Sequence, residues 1–264
     1  MDLQHLLNNM WIDYCELNPA AARIFQELTK AGETVLNDHI ALRTFQHPDL
    51  GIESMAQHFK ALGYVEKNEY FFQEKKLYAK HYEHKDAQQP KIFISELELS
   101  KMSTFVQQSV QKMISEIPKN YFQDPSFMYR GRPWKMDHKT YLALAEESEY
   151  ASWVAAIGFR PNHFTVNINA LKNFNDIHRL HEFLIQHGYT MNNSGGIVKG
   201  SPELFLEQSS TMAENVEISF TDGHFKIPGC YYEFAKRYPL ASGVLYQGFV
   251  AQSADKIFES TNRR

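Results

Sequence analysis

Asn37-Asp38-His39-Ile40-Ala41-Leu42 and Pro161-Asn162-His163-Phe164-Thr165-Val166 read as one strand written twice. Each carries a histidine near the start of a β-prone run, and each histidine precedes a Gly-Tyr pair by nearly the same distance, 24 residues to Gly63-Tyr64 and 25 to Gly188-Tyr189. In the first copy Ile52, Met55, Phe59 and Leu62 repeat at helical spacing up to that pair, and in the second the span from Phe174 to His187 does the same. Strand-like runs follow each helix: Glu69–Phe72, Leu77–Tyr82 and Lys91–Ser95 in the first copy, Ile197–Lys199, Leu204–Gln208 and Cys230–Phe234 in the second. The order strand–helix–strand–strand–strand thus occurs twice, a weak internal repeat that precedes every other inference. The expected fold is α+β, with two βαβββ modules at 33–96 and 159–240 inside a single domain, 1–264. A mainly helical insertion is expected at 97–158, and a C-terminal segment at 241–264.

Outward from the repeat, residues 1–31 predict helix, with Leu3, Leu6, Leu7, Met10, Trp11 and Tyr14 at helical spacing and a second run, Ala21 to Leu28, ending near Gly32. The insertion predicts helices over Met102–Ile117 and Tyr141–Ala156, separated by the Gly131-Arg132-Pro133 loop. Across 264 residues, 43% hydrophobic and 22% charged composition is that of a globular chain with a buried core. A net charge of −4 leaves no electrostatic footprint for nucleic acid or an anionic membrane. Lys75-Lys76 and Arg263-Arg264 read as solvated surface. Cys15 and Cys230 fit no zinc or redox spacing, and no secretory leader or apolar span is visible. A cytoplasmic protein is expected.

Alternate residues of a strand share a face. His39, Ala41, Arg43 and Phe45 share one, and His163, Thr165, Asn167 and Asn169 share another that is too polar for packed core. Pseudo-twofold pairing of the two modules would bring His39 and His163 together. Glu233, an acid inside the aromatic run Cys230-Tyr231-Tyr232-Glu233-Phe234, is the candidate third ligand, because buried carboxylates are rare unless paired or metal-bound. Two imidazoles and a carboxylate on one side of a metal leave open positions and suit non-haem Fe(II), while Zn, Mn, Ni or Co could occupy the same donors. His178 and His181 are expected on an exposed helix face with Arg179 and Glu182. His81 and His84 point to opposite strand faces, and His224 follows a turn signal. No phosphate loop, nucleophile elbow or His-Glu-x-x-His helix is present.

Three blocks together resemble one family: Asn37-Asp38-His39-Ile40-Ala41-Leu42-Arg43-Thr44-Phe45, Pro228-Gly229-Cys230-Tyr231-Tyr232-Glu233-Phe234-Ala235-Lys236-Arg237, and Ala254-Asp255-Lys256-Ile257-Phe258-Glu259-Ser260-Thr261. The chain from about residue 34 onward is similar to the 2-oxoadipate dioxygenase/decarboxylase family, also called hydroxyglutarate synthase and formerly domain of unknown function 1338. The resemblance implies a vicinal-oxygen-chelate-like fold, a curved mixed sheet around a metal cavity. It implies Fe(II) held by His39 and His163, with Glu233 assigned as the third ligand from the Tyr-x-Glu-Phe pattern and its distance from His163, and Arg43 as the substrate-binding arginine. It further implies that 2-oxoadipate and O2 become 2-hydroxyglutarate and CO2, a step of lysine degradation. Arg43 lies about 13 Å along the strand from His39, from where its fork could meet the far carboxylate of a six-carbon diacid. Gln208, Thr165 and Asn167 are expected to add polar substrate contacts. The competing readings are another vicinal-oxygen-chelate enzyme, such as a glyoxalase-like isomerase or ring-cleaving dioxygenase, and a metal-free module that binds a small ligand. Oxygen uptake with release of CO2 from 2-oxoadipate separates the first, and ligand affinity insensitive to His39→Ala the second.

Overall fold

The computed structural model describes residues 1–261, and the Arg263-Arg264 pair lies outside the described residues. The chain begins with α1 (Leu3–Leu17) and α2 (Pro19–Lys30), then β1 (Asn37–Phe45), α3 (Ile52–Ala61), β2 (Tyr64–Phe72), β3 (Leu77–His84) and β4 (Lys91–Leu97). The middle segment holds α4 (Thr104–Ser115), α5 (His138–Glu147) and α6 (Glu149–Ile157). Next come β5 (Pro161–Asn167), α7 (Ile177–Gln186), β6 (Lys199–Ser201), β7 (Leu206–Ser210), β8 (Asn215–Phe220), β9 (Gly223–Pro228), β10 (Tyr231–Arg237) and α8 (Ala251–Phe258).

The two N-terminal runs form separate helices, and a second break divides a span expected as one helix, each for a local reason. The N-terminal helix breaks at Asn18-Pro19, where the Asn18 side chain accepts from the Ala21 N–H and the proline opens a new first turn. The span expected as a single helix from Tyr141 breaks at Ser148, whose hydroxyl caps the following helix through the Ala151 N–H. β8 and β9 form a separate two-stranded sheet that the sequence reading passed over.

Eight strands make one sheet in the order β2-β3-β4-β1-β5-β10-β7-β6. The order is palindromic in role. β1 pairs β4 in parallel, β5 pairs β10 in parallel, and β1 and β5 join the halves antiparallel. Every residue of β1 after Asn37 is buried, because helices cover both faces. On the outer face Trp11 and Tyr14 of α1 pack on Phe164, and Trp11 also meets Tyr232. On the inner face, the one that carries His39, Tyr150 and Trp153 of α6 enclose Arg43 and α8 lies across the strands. This mixed sheet flanked by helices is the expected fold class. Among the described residues no helix is long and apolar enough to cross a membrane.

Candidate metal centre

The β1–β5 register sets the site. His39 stands opposite Thr165 and Ala41 opposite His163, so the two histidines lie diagonally across the strand pair on the same face. β10 runs parallel to β5 with Glu233 beside Thr165, which puts the carboxylate next to both rings. The ligand atoms of His39, His163 and Glu233 all lie within 4.8 Å of one another, and all three residues are buried. His163 Nε2 is 3.1 Å from Glu233 Oε2, His39 Nε2 is 3.5 Å from Glu233 Oε1, and the two Nε2 atoms are 3.4 Å apart.

Proton placement shows what this cluster fits. Burial holds the His39 imidazole below its ordinary range, against the opposing pull of Asp38, and burial holds that of His163 well below it. Both rings are therefore neutral near pH 7. The Asp38 carboxylate, 2.8 Å from His39 Nδ1, requires that nitrogen to donate, and Asn162 Oδ1, 3.2 Å from His163 Nδ1, favours the same tautomer there. Each Nε2 then turns a lone pair to the centre, and their 3.4 Å contact holds no proton to share. Burial also pushes the Glu233 carboxyl up to about 8, although the Gln208 amide, donating to Oε1 at 2.6 Å, pulls it down. Two lone pairs and a buried carboxyl group, which a cation at that point would ionise, fit a divalent cation.

The remaining candidates take unequal places. Thr165 Oγ1 lies 3.1 Å from His39 Nε2, inside the cluster. Gln208 lines the cavity, and its Oε1 is buried without a hydrogen-bond partner. Asn167 turns aside, its side chain accepting from the Asn169 N–H at the end of β5. Arg43 is fully buried one layer behind the cavity wall. It is ion-paired to Glu149 at 3.0 Å, donates to Thr261 Oγ1 at 3.3 Å, and lies over the rings of Tyr150, Trp153 and Phe258. Its Nε and the hydroxyl of Tyr231 are both buried without a partner, and the Tyr231 ring stacks on His163 at 4.6 Å. His181, expected on an exposed face, is buried instead and meets Ser209 Oγ at 2.7 Å, because its side of α7 packs on the sheet.

Sequence reading missed the residues around the triad. Phe93, Tyr231, Phe249, Ala254, Ile257 and Phe258 complete a cavity of about 20 Å³, room for roughly one water. Asp38 also escaped notice, although an acid beside a candidate histidine ligand is itself a signal for an orienting partner.

The family model for 2-oxoadipate dioxygenase/decarboxylase matches residues 2–125 and 127–243. A chloroplastic 2-oxoadipate dioxygenase/decarboxylase of Arabidopsis thaliana is 34% identical over 97% of this chain and 76% of its own length. The hydroxyglutarate synthase of Oryza sativa, solved in complex with 2-oxoadipate, superposes with a TM-score of 0.92 at 33% identity, covering 98% of this chain and 91% of that one. A Shewanella frigidimarina structure carried under the provisional description of a hydrolase is 50% identical, with a TM-score of 0.91 over 95% of this chain and 98% of its own.

Proposed function

The chain belongs to the 2-oxoadipate dioxygenase/decarboxylase family and is an enzyme of that class, and we propose that it works at the His39–His163–Glu233 centre with Fe(II) as its metal. The reaction consumes 2-oxoadipate and O2 and yields 2-hydroxyglutarate and CO2. The CO2 leaves with the two oxygens of the original C1 carboxylate, and both atoms of O2 end in 2-hydroxyglutarate, one in the carboxylate formed from the keto carbon and one in the new hydroxyl. We place it in lysine degradation in the cytoplasm.

When bound, Fe(II) supplies chelation of the 2-oxo acid and activation of O2. The protein's part is to bind, orient and exclude water. His39 and His163 present unprotonated Nε2 atoms, and the Gln208 amide steadies Glu233 so that its carboxylate stays on the same point. The Thr165 hydroxyl can donate to a substrate oxygen, and the free Oε1 of Gln208 can accept from the hydroxyl of the 2-hydroxy product, with Asn167 at the strand end beyond them. Phe93, Phe249, Ile257 and Phe258 form an apolar roof that keeps bulk water from the reacting carbon. A six-carbon diacid is larger than the present cavity, so Phe258 and the end of α8 must shift to admit it. That shift opens the layer between the cavity and Arg43, whose guanidinium then takes the far carboxylate in place of its bond to Thr261.

The observation that carries this reading is the pair of neutral, mutually facing imidazole nitrogens beside a buried carboxylate. The test is anaerobic purification with metal analysis, then oxygen uptake across a series of 2-oxo diacids. Stoichiometric O2 consumption and CO2 release with 2-oxoadipate is expected. Absence of both in Fe(II)-loaded protein refutes it.

A further inference from the structure

Arg237 is the last residue of β10, four positions beyond Glu233, and it is 3% exposed. A buried guanidinium needs an extensive set of acceptors, and this one has them from two different parts of the chain. Its Nε donates to Asp38 Oδ1 at 2.6 Å and its Nη2 to Asp38 Oδ2 at 2.8 Å, a bidentate pair. Its Nη1 donates to the backbone carbonyls of Tyr246 and Gly248 at 2.9 and 2.8 Å. Asp38 Oδ2 in turn accepts from His39 Nδ1, the nitrogen opposite the one facing the centre. The residue after Gly248 is Phe249, whose ring lies 5.3 Å from the guanidinium and edge-on to His39 at 4.8 Å. Both arms of Arg237 therefore end on the same imidazole, one through Asp38 and one through Phe249.

We propose that Arg237 is a positioning residue that fixes the orientation and tautomer of His39 through Asp38 and, with its second arm, holds the Phe249 roof over the metal. With the fork intact, both Asp38 oxygens are accounted for, so the carboxylate cannot rotate away from His39 Nδ1 and the lone pair stays on Nε2. With it lost, Asp38 is a buried carboxylate free to turn, and His39 can place its proton on Nε2, where it cannot ligate. The 246–248 carbonyls also lose their donor, and the roof that they carry loosens. The two arms make separable predictions. Damage to Asp38 alone harms metal binding, and damage to Arg237 harms metal binding and water exclusion together.

This inference rests on the metal centre proposed above, and the experiment separates the two. Binding of Co(II), followed by its visible absorption and by competition with a chelator, is measured for the wild type, Asp38→Asn, Arg237→Gln and the double variant well below their melting temperatures. Arg237→Lys is added as the variant that keeps a charge beside Asp38. Product formed per O2 consumed is measured on the Fe(II) forms. Roughly 10- to 100-fold weaker Co(II) binding is expected in each single variant, with the double variant no worse than Arg237→Gln. Arg237→Lys should recover part of the affinity. Uncoupled O2 consumption should appear in Arg237→Gln and Arg237→Lys and not in Asp38→Asn. A wild type that binds no Co(II) overturns the metal centre itself. Variants that bind Co(II) within twofold of a binding wild type overturn only the role of Arg237, as does a double variant whose loss is the sum of the singles.

Discussion

Acidification should strip stability from this fold through His181, and the amount can be worked out. The imidazole is buried on the sheet side of α7, and burial pushes it down to about 4 from an ordinary 6.5, helped by the charges of His178 and Lys199 and opposed by Asp176. Between those two values the unfolded chain binds a proton that the folded chain refuses, so stability falls as pH falls through 6.5 toward 4. From pH 7 to 4.5 the loss from this one group is about 2 kcal/mol. His181→Leu removes the titrating group while keeping an apolar side chain under the helix. It should begin about 1 kcal/mol below the wild type at pH 7, because Ser209 Oγ loses its partner. It should then lose less on acidification. Urea unfolding in the presence of a chelator, at pH 7 and pH 4.5, compares the two slopes, and all other groups cancel in the difference. Equal pH dependence in wild type and variant refutes the reasoning. The functional consequence is close at hand: Ser209 adjoins Gln208, whose amide holds Glu233, so protonation of His181 should loosen the metal site before the protein unfolds globally.

Three further outcomes are expected. Arg43→Lys should raise KM for 2-oxoadipate at least tenfold while leaving Co(II) affinity within about twofold, since a point charge cannot reproduce the bidentate fork; equal loss of both contradicts the carboxylate-anchor role. Gln208→Leu removes a charge-assisted hydrogen bond of about 1.5–3 kcal/mol to Glu233 and should weaken metal binding on the order of tenfold or more, measured by chelator competition. Phe93→Glu should tighten Zn(II) binding and abolish oxygen uptake by adding a fourth protein ligand, and a Zn(II) affinity equal to that of wild type would count against the register argument behind it.

That register also explains why the sequence carried the fold and two candidate ligands so far and the rest less well. Local pattern shows which residues share a strand face, so His39, Thr165 and His163 were legible from alternation and from the repeated block. Pairing across the sheet is not local. The Asp38–Arg237 fork depends on β1, β5 and β10 lying side by side in one register, and no spacing in the chain announces it. The same holds for His181. Its neighbours His178, Arg179 and Glu182 are polar, and only the packing of α7 on β10 and β7 decides which of them faces inward. Arg43 was placed on the correct strand face, yet the aromatic layer from α6 and α8 that encloses it comes from distant segments.

The two modules are alike enough to supply matched histidines and unlike where the third ligand is needed, and that asymmetry bears on the chemistry. The antiparallel register relates Thr165, opposite His39, to Ala41, opposite His163. In the second module the residue beside Thr165 on the neighbouring parallel strand is Glu233, and in the first the residue beside Ala41 is Phe93. Phe93 thus occupies the position that symmetry would give to a second carboxylate, and it lines the same cavity. A symmetric site would hold the metal with four protein ligands and leave little room for both a chelating 2-oxo acid and O2. An aromatic ring there, packed on Phe249 at 5.0 Å, cannot ligate and keeps that side dry. A phenylalanine rather than a carboxylate at this one position leaves the proposed centre open on one face, as a reaction that binds two substrates at the metal would require.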